Sequence, residues 1–276
     1  MIRSSKGGLA LTYLLLTLAA CFFAFPIVLV ISVSLRSGDS ITATGLGLWP
    51  SSATLTNYLS VFGPTFWRDV LNSLIYAGGT AIFSLLAGTT AAYALSRLRF
   101  LGRRPINQSF ILLQAFPGVM TMIPIYLLFL RLGLLNSYWG MILAYAAGSL
   151  PFTIAMLKGY FDTIPVSLEE ATLIDGATRF QSFYYVLLPL ALPALAVTGL
   201  LAFNAGWTEF ILAYTFLSTD DKYSLAMRLY GIIGQFTTSW PQFAAMSVVV
   251  ALPITLLFLR FERYLVGGLT LGGVKG

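Results

Sequence analysis

The sequence predicts an all-α polytopic membrane helix bundle with six transmembrane helices and both termini on the cytoplasmic side. Composition, long uncharged runs and the placement of basic residues support this. Of 276 residues, 58% are hydrophobic and 9% charged, with a mean hydropathy of +0.84. A soluble domain carries about 25% charged residues, so this chain has too few charges to cover a globule in water. The bilayer is its solvent, and membrane lipid its first partner.

A spanning helix needs about 20 mostly apolar residues. The runs that suffice are 9–33, 70–96, 105–130, 132–157, 180–208 with a short extension beyond Glu209, and 229–259. Residues 18–21 of the first run read LAAC, like a lipoprotein cleavage box. A lipoprotein turns polar after that cysteine, whereas FFAFPIVLVIS continues the apolar run, so a first membrane helix is expected rather than a cleaved signal. The last run opens with the polar GQFTTSWPQ, which places the expected start of its span near Phe243. Glycine and proline within such runs are tolerated in membrane helices.

With the N-terminus in the cytoplasm, the inside segments hold Arg3, Lys6, Arg97, Arg99, Arg103, Arg104, Lys158, Arg179, Arg260, Arg263 and Lys275. The outside segments hold only Arg36, Arg68, Arg131, Lys222 and Arg228. Basic residues favour the cytoplasmic side. The net charge of +6 is therefore a topology signal and not a nucleic-acid footprint. One cysteine permits no internal disulfide. Histidine is absent, which excludes histidine zinc sites and Ser-His triads. No metal site and no catalytic residue is expected. The chain reads as one domain, 1–276, without internal repeats. Its long outside segments are 36–69 and 218–242, and the inside connection RLRFLGRRP is a short basic turn.

One inside segment is polar and patterned: EEATLIDGATRFQSFYYVLLP at 169–189. Ser167 and Glu170 have capping-box spacing. Leu168, Ala171 and Ile174 recur at helical spacing, and Asp175-Gly176 supplies a stop. Thr178 and Gln181 repeat the capping-box spacing, and a second helix runs through Phe183, Val186 and Leu187 towards Pro189. Helix, glycine turn and helix make an elbow that either docks a partner or simply connects spans along the headgroups. One arginine is too little for DNA phosphates.

The same stretch resembles the EAA loop of binding-protein-dependent ABC importer permeases: E-A-A-x-x-x-G, then some nine residues later an apolar run and proline. Glu170, Ala171, Asp175, Gly176, Ala177 and Pro189 match it, and Thr172 stands where a second alanine is common. The C-terminal stretch from FAAMSVVV onward, and GWTEF at 206–210, are similar to sugar permeases of the maltose/maltodextrin MalG type. The resemblance covers essentially the whole chain. It implies a multi-pass subunit of a prokaryotic cytoplasmic (inner) membrane, paired with a larger MalF-type permease, a homodimer of ATPase subunits and an external solute-binding protein. The substrate it implies is maltose, maltodextrin or a related oligosaccharide. No G-x-x-x-x-G-K-[ST] motif occurs, so this chain should carry no cofactor, with ATP and Mg bound by the partner ATPase subunits.

Three further regions have a plain reading and one that the resemblance implies. Five glycines between Gly267 and Gly276 predict an extended, frayed tail. In the family the related tail, here Gly272, Gly273 and Lys275, reaches between the ATPase subunits. The outside stretch 229–241 is apolar enough for an interfacial helix. In the family its counterpart contacts the binding protein, which would involve Tyr230, Gly231, Gly234 and Gln235. In the fifth span Phe203, Trp207, Phe210 and Tyr214 fall on one helical stripe, opposite a small-residue face of Ala202, Ala205, Gly206 and Ala213, with Glu209 nearer that face. Packing is the ordinary role of such a stripe. The sharper expectation is that Asn204, Trp207 and Phe210 line the translocation path, although the larger permease is expected to hold most sugar contacts. The alternative function is a stand-alone ion-coupled secondary transporter. That would need several intramembrane ionisable groups, and only Glu209 qualifies. A membrane enzyme is disfavoured by the lack of histidine and the scarcity of intramembrane acids.

Overall fold

A computed structural model describes residues 6–38, 49–50, 52–233 and 238–273. Its helices are α1 (Lys6–Ser34), α2 (Thr56–Val61), α3 (Phe66–Arg97), α4 (Arg103–Ala115), α5 (Gly118–Leu132), α6 (Tyr138–Thr163), α7 (Ser167–Ile174), α8 (Arg179–Ser182), α9 (Leu188–Leu190), α10 (Leu192–Thr208), α11 (Ile211–Phe216), α12 (Leu225–Gly231) and α13 (Trp240–Gly273). A π-helical turn, Phe183–Leu187, joins α8 to α9, and a 3-10 turn spans Asp220–Lys222. The described residues form no β-strand; Arg36 and Ala53 make an isolated bridge. The all-α membrane class is borne out.

Among the described residues, four helices are individually long and apolar enough to cross a bilayer, and up to six spans result if each of two bent pairs counts as one. The expected third span, 105–130, is bent by 106° between α4 and α5. Phe116 is extended (φ −77°, ψ 132°) because Pro117 follows it. The fourth helix starts at Tyr138 rather than near 132, since Gly133 (φ +67°) and Asn136 (φ +51°) are left-handed and Ser137 Oγ caps Gly140 N at 2.9 Å. The fifth run bends by 77° at Ala191, flanked by Pro189 and Pro193. The last helix begins at Trp240 rather than near Phe243. It continues through Gly273, where an extended tail was expected. A long helix already nucleated adds residues without a new nucleus, which offsets the glycine cost of about 1 kcal/mol each.

The chain divides into two compact units, Met1–Trp67 with Leu229–Leu252, and Arg68–Arg228 with Pro253–Gly276. In the first, α1 leaves its apolar side chains exposed from Leu9 to Ile31, as a helix facing lipid or another subunit would. Its end is closed by Ser34 Oγ and the Tyr58 hydroxyl at 2.7 Å, and by Asn57 Nδ2 donating to the Ser34 and Arg36 carbonyls, each at 2.8 Å.

The second unit has two apolar clusters strung along α3. Tyr76, Met141, Tyr145, Ala213 and Phe216 pack near its start, and Ala92, Leu157, Phe161, Phe183 and Leu187 near its end. At the start an ionic clasp holds the 218–228 segment. Buried Asp69 accepts from Arg228 Nε at 2.7 Å, Arg228 Nη1 donates to Asp220 at 2.7 Å, and Arg68 Nη2 donates to Asp220 at 2.6 Å. The bond from Arg228 holds the Asp220 carboxyl below the usual range. Asn72 Nδ2 donates to the Asp221 and Tyr223 carbonyls, while its Oδ1 accepts from the Tyr138 hydroxyl.

The small face expected on the fifth span is largely real. Ala202, Gly206 and Ala213 are buried, whereas Ala205 is exposed. A Cβ on Gly206 would lie 3.0 Å from Ala77 Cα and 3.1 Å from Thr80 Oγ1, so α10 and α3 meet at backbone distance. Gly206→Val is expected to destabilise the detergent-solubilised protein by about 1–3 kcal/mol through overpacking, read as a lowered Tm. Gly78→Ala, with no atom within 4 Å of the added carbon, should not lower it.

Candidate functional site

The elbow forms where the sequence places it. Pro165 leaves Ile164 extended (ψ 123°) and ends α6. The chain then enters α7, turns at Gly176 (φ +89°) and starts α8. Gly176 N donates to the Leu173 carbonyl at 3.2 Å and Ala177 N to the Thr172 carbonyl at 3.0 Å, the paired bonds of a Schellman stop. The second capping box is present: Gln181 N donates to Thr178 Oγ1 at 3.3 Å, and Thr178 N to Gln181 Oε1 at 2.8 Å. The first is not. Ser167 already lies within the helix, and no side chain caps it. The turn begins earlier, with Leu168 N bonded to the Pro165 carbonyl, so Ser167 and Glu170 miss the positions a capping box requires.

Two residues that the sequence reading passed over fix the elbow. Glu169 turns inward and meets Arg97, the last residue of α3, with Arg97 Nε donating to Oε1 at 2.5 Å; the side chains are 7% and 8% exposed. Arg97 also donates to Ser96 Oγ at 3.1 Å and to the Ile164 carbonyl at 2.9 Å. Ser96 Oγ continues to Asp162 at 2.6 Å, and Asp162 pairs with Lys158 at 2.6 Å. One polar network thus ties α3, α6 and α7 together. The adjacent acids Glu169 and Glu170 were the available signal, but sequence alone does not say which of two neighbours faces in. Glu170, Ala171, Asp175 and Gly176 remain exposed and Ala177 is half-buried. Beside them Leu168, Leu173, Ile174 and Phe180 present an apolar surface, with Ile174 86% exposed.

The helix breaks create a second feature. A cleft of about 640 Å³ opens where the α4–α5 break, the middle of α6 and the α10–α11 break face one another, lined among others by Gln114, Phe116, Thr121, Pro151 and Glu209. The proposed path residues do not line it. The α10 helix ends at Thr208, and Glu209 (ψ 127°) and Phe210 interrupt it, so Phe203, Trp207, Phe210 and Tyr214 do not form one continuous stripe. Trp207 is buried, 1% exposed, and stacks on Phe203 with ring centroids 5.7 Å apart. Asn204 and Phe210 are half-buried. Glu209 is a helix cap: its carboxylate accepts from Leu212 N at 3.0 and 3.1 Å and from Ala213 N at 3.3 Å.

Tyr230 and Gly231 lie exposed at the end of α12, while Gly234 and Gln235 fall outside the described residues. Gly272 and Gly273 are the last residues of α13, and Lys275 lies outside the described residues.

These bent spans and this elbow define a membrane transport subunit. Residues 82–270 match the family described as binding-protein-dependent transport system inner membrane component, and the chain belongs to that family. It is 38% identical to the maltose/maltodextrin transport system permease protein MalG of Escherichia coli (strain K12), over 99% of this chain and 98% of that protein. The protein of the same description from Vibrio vulnificus (strain YJ016) is 36% identical over the same shares. The structure is similar to a chain in the crystal structure of a bacterial ABC transporter involved in the import of the acidic polysaccharide alginate. The TM-score is 0.80 at 26% identity, covering 96% of this chain and 99% of that one.

The capping role of Glu209 has a direct test. Glu209→Leu strands two backbone donors and is expected to cost about 0.5–2 kcal/mol, whereas Glu209→Gln keeps an acceptor and should stay nearer the parent in thermal unfolding. A proton-carrying Glu209 would instead make Glu209→Gln as inactive in transport as Glu209→Leu.

Proposed function

We propose that this chain is a six-span permease subunit, both termini cytoplasmic, of an ATP-driven importer of sugars of the maltose/maltodextrin class. It works as one membrane domain over residues 1–276. Its partners are a second MalF-type permease, two copies of an ATPase that bind ATP and Mg, and an external solute-binding protein. The likeness to the maltose/maltodextrin permeases over nearly the whole chain supports the substrate class.

The observation that carries the coupling role is the two-sided construction of the elbow. One side is fixed to α3 and α6 through Glu169 and Arg97. The other side offers Glu170, Ile174 and the Gly176 turn. A partner that seats on the outer side and moves therefore carries α3 and α6 with it as levers, which is rigid-body rocking of packed elements. Hydrolysis occurs in the ATPase partners, and this chain converts their closure into alternating access at the membrane cleft. Gly272, Gly273 and Lys275 are assigned to contact with the ATPase pair, and Tyr230, Gly231, Gly234 and Gln235 to the binding protein. The burial of Trp207 favours packing for that side chain; Asn204 and Phe210 stay proposed as path residues, beyond the lining of the cleft itself. Glu209, occupied as a cap, gives no support to the ion-coupled alternative.

Gly176→Val forces a β-branched residue into a left-handed turn, and Glu170→Lys reverses the charge on the docking face. Both variants should insert normally. Sugar-stimulated ATP hydrolysis by the assembled complex should fall about tenfold or more, a loss of roughly 1.4 kcal/mol in coupling. Unchanged stimulation in both variants would make the elbow a mere connector.

A further inference from the structure

Behind the elbow, where α3 ends, lies a crevice of about 230 Å³ whose lining includes Arg97, Arg99, Glu169, Glu170, Arg179 and Ser182. A water occupies about 30 Å³ in the liquid, so a group the size of a phosphate has room. The three arginines also line an adjoining hollow of about 590 Å³, together with Leu98 and Phe100. Arg97 and Glu169 are committed to each other. The remaining charges are Arg99 and Arg179 against Glu170, an excess of one positive charge. Neither Arg99 nor Arg179 makes a side-chain hydrogen bond or ion pair among the described residues.

A second observation points into the same space. Ser182 is 2% exposed, and its Oγ has no hydrogen-bond partner among the described residues. A buried hydroxyl left unpaired is costly, and an acceptor placed in the crevice that Ser182 lines would relieve it. Arginine forks match the geometry of phosphate oxygens.

We propose that this crevice binds one phosphate group, held by the Arg99 and Arg179 guanidinium groups and by a hydrogen bond donated from Ser182 Oγ. The single excess charge suits a monoanion such as a phosphodiester. Two sources share that chemistry: the headgroup of an anionic phospholipid, whose glycerol end would lie toward Leu98 and Phe100, and free phosphate. Basic pockets beside membrane spans commonly take such headgroups. Glu170 borders this crevice as well as the docking face, but the test below uses neither the carried solute nor the ATPase, so the proposal stands or falls separately from the proposed function.

The test uses the full-length chain by itself. Phosphatidylglycerol retention is counted by native mass spectrometry after release from phosphatidylcholine nanodiscs prepared with and without phosphatidylglycerol. Inorganic phosphate is titrated calorimetrically into the lipid-free detergent form. The parent is expected to bind one equivalent of at least one probe. Retention of phosphatidylglycerol alone assigns a lipid source, and saturable phosphate binding alone assigns a free ion. Arg99→Gln with Arg179→Gln should weaken binding by about tenfold or more, and Ser182→Ala several-fold. Arg104→Gln, an exposed arginine outside the crevice, should leave it unchanged. Failure of both probes to bind the parent, or equal binding by the parent and the double arginine variant, would overturn the proposal.

Discussion

Everything proposed for the elbow depends on one buried ion pair. Moving Arg97 and Glu169 out of water costs several kcal/mol per ion, and their attraction repays this only when the remaining donors and acceptors are satisfied. Here they largely are. Arg97 spends three donor positions on Glu169, Ser96 and the Ile164 carbonyl, and Ser96 passes the network to Asp162 and Lys158. The pair therefore fixes register as much as energy. It sets which face of α7 points inward, and so leaves Ile174 on the outer side and Glu170 exposed at the edge of the crevice beside Glu169. Arg103 reinforces the same corner from the next helix by donating to the Leu95 and Ser96 carbonyls, the open end of α3.

The membrane part is shaped by interruptions. Pro117, Ala191 between its two prolines, and the Glu209-Phe210 break each stop a helix that apolar composition alone would continue. Backbone groups freed inside a bilayer must find partners within the protein, and the carboxylate of Glu209 meets that need at the start of α11. The Pro117 and Glu209-Phe210 breaks face one another across the cleft.

Much of this was legible in the residues. Hydropathy located the long apolar helices because a lipid-facing helix must be apolar along its length, and α1 and α3 lie within a few residues of their expected limits. The elbow was legible because glycine and a capping threonine act locally: Gly176 and Thr178 do what their chemistry requires. The misses have equally physical causes. Proline bends were absorbed into continuous runs because hydropathy does not register direction. The aromatic stripe at 203–214 presumed an unbroken helix, and the break at Glu209 removed it. The 167–170 capping box failed because Pro165 and Val166 start the turn earlier. Above all, Arg97 and Glu169 lie 72 residues apart, and nothing in either local pattern announces that they meet.

The claim that this pair tethers the elbow is tested most directly by a double-mutant cycle. The free energy of opening the elbow is read from the rate of limited proteolysis within residues 167–182, in the parent, Arg97→Gln, Glu169→Gln and the combined variant. Each single change leaves an unpaired charge buried and should lower the opening free energy by about 3–5 kcal/mol. The combined variant should then lose less than the sum of the two, by roughly 0.5–3 kcal/mol. Strictly additive losses, or single variants cleaved no faster than the parent, would contradict the tether.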